Sequence, residues 1–294
     1  MSRFLDQVRD ARRGFARPGG DWDRAERPFR VLTVTSNKGG VGKTTIAANL
    51  AVYLRALRED LPILILGLDD QTTLDRMFEL GPQPAGGDVT SALRSGSFAP
   101  VIRLGQYGVH YVPSCRDVSI PKRFVQQPFF LQTVLQQTGW RGLVILDTKS
   151  DFEILTRNAL AASDLALVVV KDWPSLIEAE KVYAQLEAWG RPRESARVVL
   201  SMVNLRVKYR APGKPDILAL LLSEIRRCGF PLLESFVSCS PKVESLCTNP
   251  EETVLPVLTA APNSLVHRQL HHLAHDVLKL LEQAGLRGEA PQAR

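Results

Sequence analysis

No stretch of this chain stays apolar for long. The longest such runs, Leu61–Leu68 and Leu165–Val170, have the length of strands, far below the roughly 20 residues that a membrane-spanning helix needs. The first residues hold no apolar signal core. Four cysteines are present, Cys115, Cys228, Cys239 and Cys247, and none falls in C-x-x-C spacing, so the composition points to a reducing cytoplasm. There is no internal repeat and no low-complexity tract. What remains is 294 residues, 45% of them hydrophobic, enough to bury one large core.

Against these absences stands one dense motif, Ser36-Asn37-Lys38-Gly39-Gly40-Val41-Gly42-Lys43-Thr44-Thr45. A β-branched run, Val31–Thr35, precedes it, and Ile46-Ala-Ala-Asn-Leu-Ala-Val-Tyr-Leu follows with helical spacing, so the order is strand, glycine loop, helix. Gly39, Gly40 and Gly42 let the backbone curl until successive N–H groups point inward, and the helix starting near Lys43 adds the positive end of its dipole. Such a nest takes polyphosphate. Lys43 is placed to reach the β- and γ-phosphates, Thr44 to ligate Mg2+ through its hydroxyl, with Thr45 beside it on the first turn.

Two apolar runs end in acids: Leu61–Leu68 leads into Asp69-Asp70-Gln71, and Gly142-Leu-Val-Ile-Leu into Asp147-Thr148-Lys149-Ser150. Carboxylates at the C-terminal ends of parallel strands share an edge with the glycine loop and face the γ-phosphate and metal. Asp147 matches the acid of a Walker B strand, which holds Mg2+. Strands are expected at 31–35, 62–68, 109–113, 142–147, 165–170, 197–203 and 233–237, with helices near 43–57, 128–137, 155–161, 174–189, 215–228, 241–247 and 264–284. This alternation predicts an α/β fold of the P-loop NTPase type, a mostly parallel twisted sheet with helices on both faces in a single domain. The expected division is an N-terminal extension and linker over 1–28, the P-loop domain over 29–284 and a flexible tail over 285–294. The stretch 81–100, with Pro82, Pro84 and Gly86-Gly87, reads as a mobile lobe.

The loop departs from the ordinary pattern, for Asn37 stands at its first glycine and Lys38 follows. Lys38-Gly-Gly-Val-Gly-Lys-Thr-Thr45 resembles the deviant Walker A of the ParA/MinD ATPases, closer to ParA, and the similarity runs through most of 30–284. It implies that Lys38 reaches across a dimer interface to the partner's nucleotide. Where relatives often read Asp-x-Asp-Pro-Gln, this chain has Gly67, Asp69, Asp70 and Gln71, so Asp69 inherits the water-orienting, metal-side role while one acid and the proline are missing. Lys149 and Ser150 replace two prolines of the loop that senses γ-phosphate. Asn204 stands near the asparagine whose amide reads adenine in relatives, although a loop-start asparagine also accounts for it. The spacing of the cysteines weighs against a nitrogenase-reductase-like relative, which would need paired cluster ligands.

The resemblance thus implies catalytic roles for Lys38, Lys43 and Asp69, nucleotide contacts from residues 38–45 and Asn204, and Mg2+ held by Thr44, Asp69 and Asp147. Its function is expected to be that of an ATP- and Mg2+-dependent homodimerising ATPase, slow and stimulated by a partner, that positions or partitions DNA or a large cargo. The alternatives are a MinD-like or flagellar-placement-like polar or membrane regulator and a nucleotide-gated scaffold with little hydrolysis.

Residues 1–30 carry eight arginines against five acids, half of the chain's formal +6. Phe4, Leu5, Val8, Ala11 and Phe15 recur at helical steps among those arginines before Pro18-Gly19-Gly20. The result is a short basic amphipathic helix, over residues 1–17, suited to an adaptor or activator, to its own core, to acidic lipid or to DNA. Arg206, Lys208, Arg210 and Lys214 form the densest basic loop of the core, fit for nonspecific DNA and hence the nucleoid, or simply for solubility. The C-terminal helix lacks a basic apolar tip for membrane insertion, so a membrane partner is less expected. His267, His271, His272 and His275 read as its solvated face rather than a metal site.

Overall fold

The structure, a computed structural model, describes residues 26–69, 71–81, 86–115, 125, 127–205, 216–246 and 253–288. Its strands are β1 (Phe29–Thr35), β2 (Ile63–Leu68), β3 (Arg103–Leu104), β4 (His110–Val112), β5 (Gly142–Thr148), β6 (Leu165–Val170), β7 (Ala196–Val203) and β8 (Leu232–Ser238). The helices used below are α1 (Lys43–Leu57), α2 (Thr73–Phe78), α3 (Val89–Ser95), α4 (Phe130–Thr138), α5 (Ile154–Ala162), α6 (Trp173–Ala188), α7 (Ile217–Arg227), α8 (Pro241–Ser245), α9 (Val257–Ala260) and α10 (Leu265–Gln283).

Strands β1, β2, β5 and β6 are buried along their whole length, which is why they read as unbroken apolar runs rather than alternating ones. They form one sheet of order β3-β4-β2-β5-β1-β6-β7-β8, parallel throughout except for the antiparallel β3–β4 edge. Leu32, Val34, Ile63, Ile65 and Ile145 point to a core shared with α1 and α10; Val31, Leu64, Leu66 and Leu146 point to the opposite face, under α3, α4 and α5. The outer strands β6 and β7 are closed by α6 and α7. Each such side chain contributes roughly 1.5–3 kcal/mol on burial, so a one-residue slip of any central strand would exchange two cores at once.

The base of the sheet is stapled by charge. Arg27 pairs with Asp164 at 2.6 Å, the two side chains being 3% and 5% exposed, and the other Asp164 oxygen accepts the Val31 N–H at 2.8 Å. Arg27, expected in the linker, therefore already belongs to the domain. At the far end Arg30 Nε donates to the Ala284 carbonyl at 2.6 Å and Leu286 is buried, so residues 285–288 pack on the core instead of starting a tail.

One further expectation is corrected. Residues 89–95 form helix α3: the Asp88 carboxylate accepts the Ser91 N–H, the Ser91 hydroxyl takes the Asp88 N–H, and Val89, Ala92, Leu93 and Phe98 are buried. That cap and its apolar face hold residues 86–100 against the core, where a mobile lobe was expected; residues 82–85 lie outside the described part. Helix α2 and the edge strand β3 were not foreseen, being too short to show a period. The expected N-terminal helix, Asp70, the basic loop from Arg206 to Lys214, Cys247 and residues 289–294 also lie outside the described residues. No helix among the described residues is long and apolar enough to cross a membrane.

Candidate nucleotide site

Strand β1 lies between β5 and β6, and its register sets Val34 beside Asp147, while Gly67 of β2 lies beside Asp147 from the other side. The loop that leaves β1, Asp147 on β5 and Asp69 just past β2 therefore meet at one sheet edge. Gly40 and Gly42 take φ of +68° and +90°, the left-handed region that glycine enters without cost. A side chain at Gly42 would begin 3.0 Å from Ser201 Oγ. Val41 is buried beneath the loop, Gly39 and Gly40 are exposed, and the Ile46 N–H closes the first helical bond to the Gly42 carbonyl at 2.9 Å. The backbone N–H groups of Lys43, Thr44 and Thr45, on the first turn of α1, lack carbonyl partners within the helix, leaving them for an anion.

Lys43 is only 6% exposed and donates from Nζ to Ser150 Oγ at 2.5 Å and, more distantly, to the Lys38 carbonyl at 3.5 Å. Burial pushes its ammonium below the usual range, against the pull of Asp147, Asp69 and Asp151. Asp147 is 2% exposed, and burial pushes its carboxyl up to about 7, against a hydrogen bond from the Thr44 hydroxyl and the Lys43 charge; Asp69 adds to the upward push. Its Oδ1 is buried without a hydrogen-bond partner. An orphaned carboxylate oxygen beside a threonine hydroxyl and a second acid is the hard, all-oxygen set that suits Mg2+.

Asp69 is 9% exposed, on the mouth side of β2. At Gly67 a Cβ would lie 3.1 Å from Leu74 Cδ1 and 3.4 Å from Ser114 Oγ, so α2 crowds the space a second acid would need. Asn204 is exposed beyond β7, whose last residues touch the loop through Ser201 and Met202 at Gly42; Met202 itself has φ of +54°. Such strain in a non-glycine residue is characteristic of functional edges.

The two unusual loop residues both bond to α6. Asn37 Nδ2 donates to the Glu178 carbonyl at 3.2 Å, and Lys38 Nζ meets Asp172 at 2.5 Å with the side chains 35% and 36% exposed. Asp172 caps α6 through the Ser175 N–H. Some burial pushes its carboxyl up, yet Lys38 and Ser175 hold it below the usual carboxylate range. Sequence reasoning missed Asp172 and the Ser150 contact. Asp172-Trp-Pro-Ser175 carries a helix-start signature that locates the cap but not its loop partner. Of the α10 histidines His272 and His275 are exposed, whereas His267, expected on the same solvated face, is half-buried with its Nδ1 2.7 Å from the hydroxyl of the buried Tyr53; no three metal-binding side chains converge among the described residues.

Residues 29–178, half the chain, match the family model described as an AAA domain. A ParA family protein of Mycoplasma pneumoniae is 22% identical over 267 residues, covering 85% of this chain and 98% of that protein. The chain belongs to the ParA/MinD family of P-loop ATPases. Within that family it is 32% identical to the chromosome-partitioning ATPase Soj of Thermus thermophilus over 154 residues, 48% of this chain and 55% of Soj. The ParA/MinD fold is likewise seen in the septum site-determining protein MinD of Pyrococcus horikoshii, solved with Mg-ADP, at a TM-score of 0.67 and 20% identity over 87% of this chain and 99% of that one.

Proposed function

We propose that Mg2+ and ATP join two copies of this chain face to face and that slow, partner-stimulated hydrolysis separates them, making it a switch for positioning or partitioning DNA or another large cargo. The observation that carries this reading is the division of labour between the two loop lysines. Lys43 is buried and turned onto its own cradle, whereas Lys38 stands at the rim in a half-exposed ion pair. Such pairs contribute about 0–1 kcal/mol, so Lys38 can leave Asp172 for a second subunit's phosphates at small cost.

In each subunit the N–H groups of residues 39–45 bind the phosphates and Lys43 spans β and γ. Thr44, Asp69 and Asp147 would hold Mg2+, which when bound offsets charge on the phosphate oxygens. Asp69 orients the attacking water, and catalysis consists of positioning and charge neutralisation without a covalent intermediate. Asn204 offers its amide to the adenine. Residues 1–17 dock the adaptor or activator, and nonspecific DNA serves as the surface in a bacterial-type cytoplasm, in keeping with the partitioning role named for Soj.

A second reading, a nucleotide-gated scaffold that barely hydrolyses, is favoured by Leu74 crowding Gly67, where an acid is missing. Light scattering with Mg2+ and a slowly hydrolysed ATP analogue tests the dimer. The wild type should double in mass while Lys38→Ala binds nucleotide and stays monomeric; an undiminished Lys38→Ala dimer sinks the crossing role. Phosphate release that is equal in wild type and Asp69→Ala would favour the scaffold. ATP-dependent co-sedimentation with DNA rather than with liposomes separates the partitioning role from membrane placement.

A further inference from the structure

The outer edge of the sheet has a groove that the nucleotide reading leaves unused. Strand β8 is last in the sheet order, so no further strand stands beyond it among the described residues, and α10 packs against its face. Between the two, Glu234, Ser235, Phe236, Gln269, His272 and Asp276 line a hollow of about 300 Å3.

Its two carboxylates have no basic partner among the described residues. Asp276 accepts the Ser235 hydroxyl on Oδ2, which leaves Oδ1 open, and Glu234 is exposed without an ion pair. Arg268 and Lys279, on the exposed side of α10, pair with neither acid. On other surfaces Glu178, Glu187, Glu224 and Glu282 each hold a lysine or an arginine. The groove therefore carries negative charge that the described fold does not answer.

A buried amide is aimed into the same groove. Gln269 is 9% exposed, and its Oε1 accepts both the N–H and the hydroxyl of Ser238 at 2.9 Å. Because a backbone N–H can only donate, the oxygen must face Ser238, and Nε2 turns into the groove with two protons and no acceptor among the described residues. What fits is a planar cation with an acceptor beside it. A guanidinium can fork onto two carboxylates and lie against the half-buried Phe236 ring, while a peptide carbonyl takes the Gln269 amide. An arginine within a peptide supplies both groups.

The chain carries such a peptide itself, for residues 1–17 hold five arginines against two acids. The described residues begin at Glu26, and Arg30 is tied to the Ala284 carbonyl at the end of α10, so the segment enters beside the helix that walls the groove. From Ala284 back to Asp276 is about two helical turns, roughly 12 Å, which residues 18–25 alone can span at roughly 3.3 Å each.

We propose that residues 1–17 lie in the groove between β8 and α10 of their own subunit, with an arginine held between Glu234 and Asp276. An adaptor that takes this segment must first draw it out, and that consequence alone rests on the adaptor reading above.

Timed trypsin cleavage of the full chain, followed by mass spectrometry, tests it, because trypsin cuts after arginine and cleavage of a docked segment follows its undocked fraction. Glu234→Gln combined with Asp276→Asn should speed cleavage after Arg9, Arg12 and Arg13 about ten-fold, and Glu234→Gln alone about three-fold. Cleavage after Arg55, within α1, should stay as slow as in wild type and so reports an intact fold; if it rises in the double variant, the exposed Glu234→Gln alone decides. Equal rates in wild type and variants overturn the proposal. A wild-type rate that falls as protein concentration rises also overturns it, since the segment would then sit on a second copy.

Discussion

Two ion pairs sit at opposite ends of the same sheet. Arg27–Asp164, at the base, and Lys38–Asp172, at the loop, have similar lengths of 2.6 and 2.5 Å, but the first pair is 3% and 5% exposed and the second 35% and 36%. At the base the carboxylate also accepts the Val31 N–H, so it closes the backbone of β1 onto the start of β6. At the loop the carboxylate caps a helix and holds a lysine that water can reach. Burial makes one pair a fixed staple, since a partner left alone there would be stranded without solvent. Exposure makes the other cheap to break, as a pair must be if its lysine is to be exchanged between partners.

The largest expected effect follows from removing the staple. Asp164→Ala removes the buried carboxylate that accepts from Arg27 and from the Val31 N–H and should cost about 3–5 kcal/mol. At roughly 2–4 °C per kcal/mol for a chain of this size, that is a fall of roughly 10 °C in the calorimetric melting temperature. Asp172→Ala, melted alongside, loses the α6 cap as well as the exposed pair and should cost about 1–2 kcal/mol. Equal losses in the two variants would end the contrast.

A third acid sharpens the comparison because it is buried like Asp164 but keeps an orphaned oxygen. Burial raises the Asp147 carboxyl from 3.8 to about 7, so between those pH values the folded chain holds a proton that the unfolded chain has released. The contribution of this group to stability is fully present below about pH 4 and is lost as pH rises through about 7. In metal-free buffer Asp147→Asn should therefore be more stable than wild type at pH 8 and similar to it at pH 4. Mg2+ with nucleotide should restore wild-type stability at pH 8 by mass action. Thermal melts across pH decide this; a wild type that gains stability between pH 5 and pH 8 relative to the Asn variant would reverse the assignment.

The smallest effect is expected where the pair is exposed. Freed of Asp172, Lys38 should support the ATP-analogue dimer at nucleotide concentrations lower by no more than about five-fold, the equivalent of a pair contributing at most about 1 kcal/mol. Light scattering against nucleotide concentration reads this. A variant that needs more ATP than wild type would show that Asp172 assists the crossing instead of restraining it.

That Lys43, Asp69 and Asp147 meet at one sheet edge was legible because each sits at a strand end or turn whose local pattern marks it. The parallel α/β sheet was legible for the same reason, since the buried strands read as apolar runs of one length. The Ser150–Lys43 contact and Asp172 were not, because the partners lie 107 and 134 residues away and depend on β5 and β6 both lying next to β1. Helix α3 hid behind glycine and proline, its evidence confined to one cap and three buried side chains. Leu286 escaped because a single apolar residue after Gly285, which takes φ of +90°, shows no period at all.

The Lys38–Asp172 contact also has an optical consequence. Asp172 is followed by Trp173, 50% exposed at the first position of α6. The proposed departure of Lys38 from Asp172 changes the charge one residue from that indole, so adding Mg2+ and nucleotide should shift the Trp173 emission in wild type and leave it unshifted in Lys38→Ala.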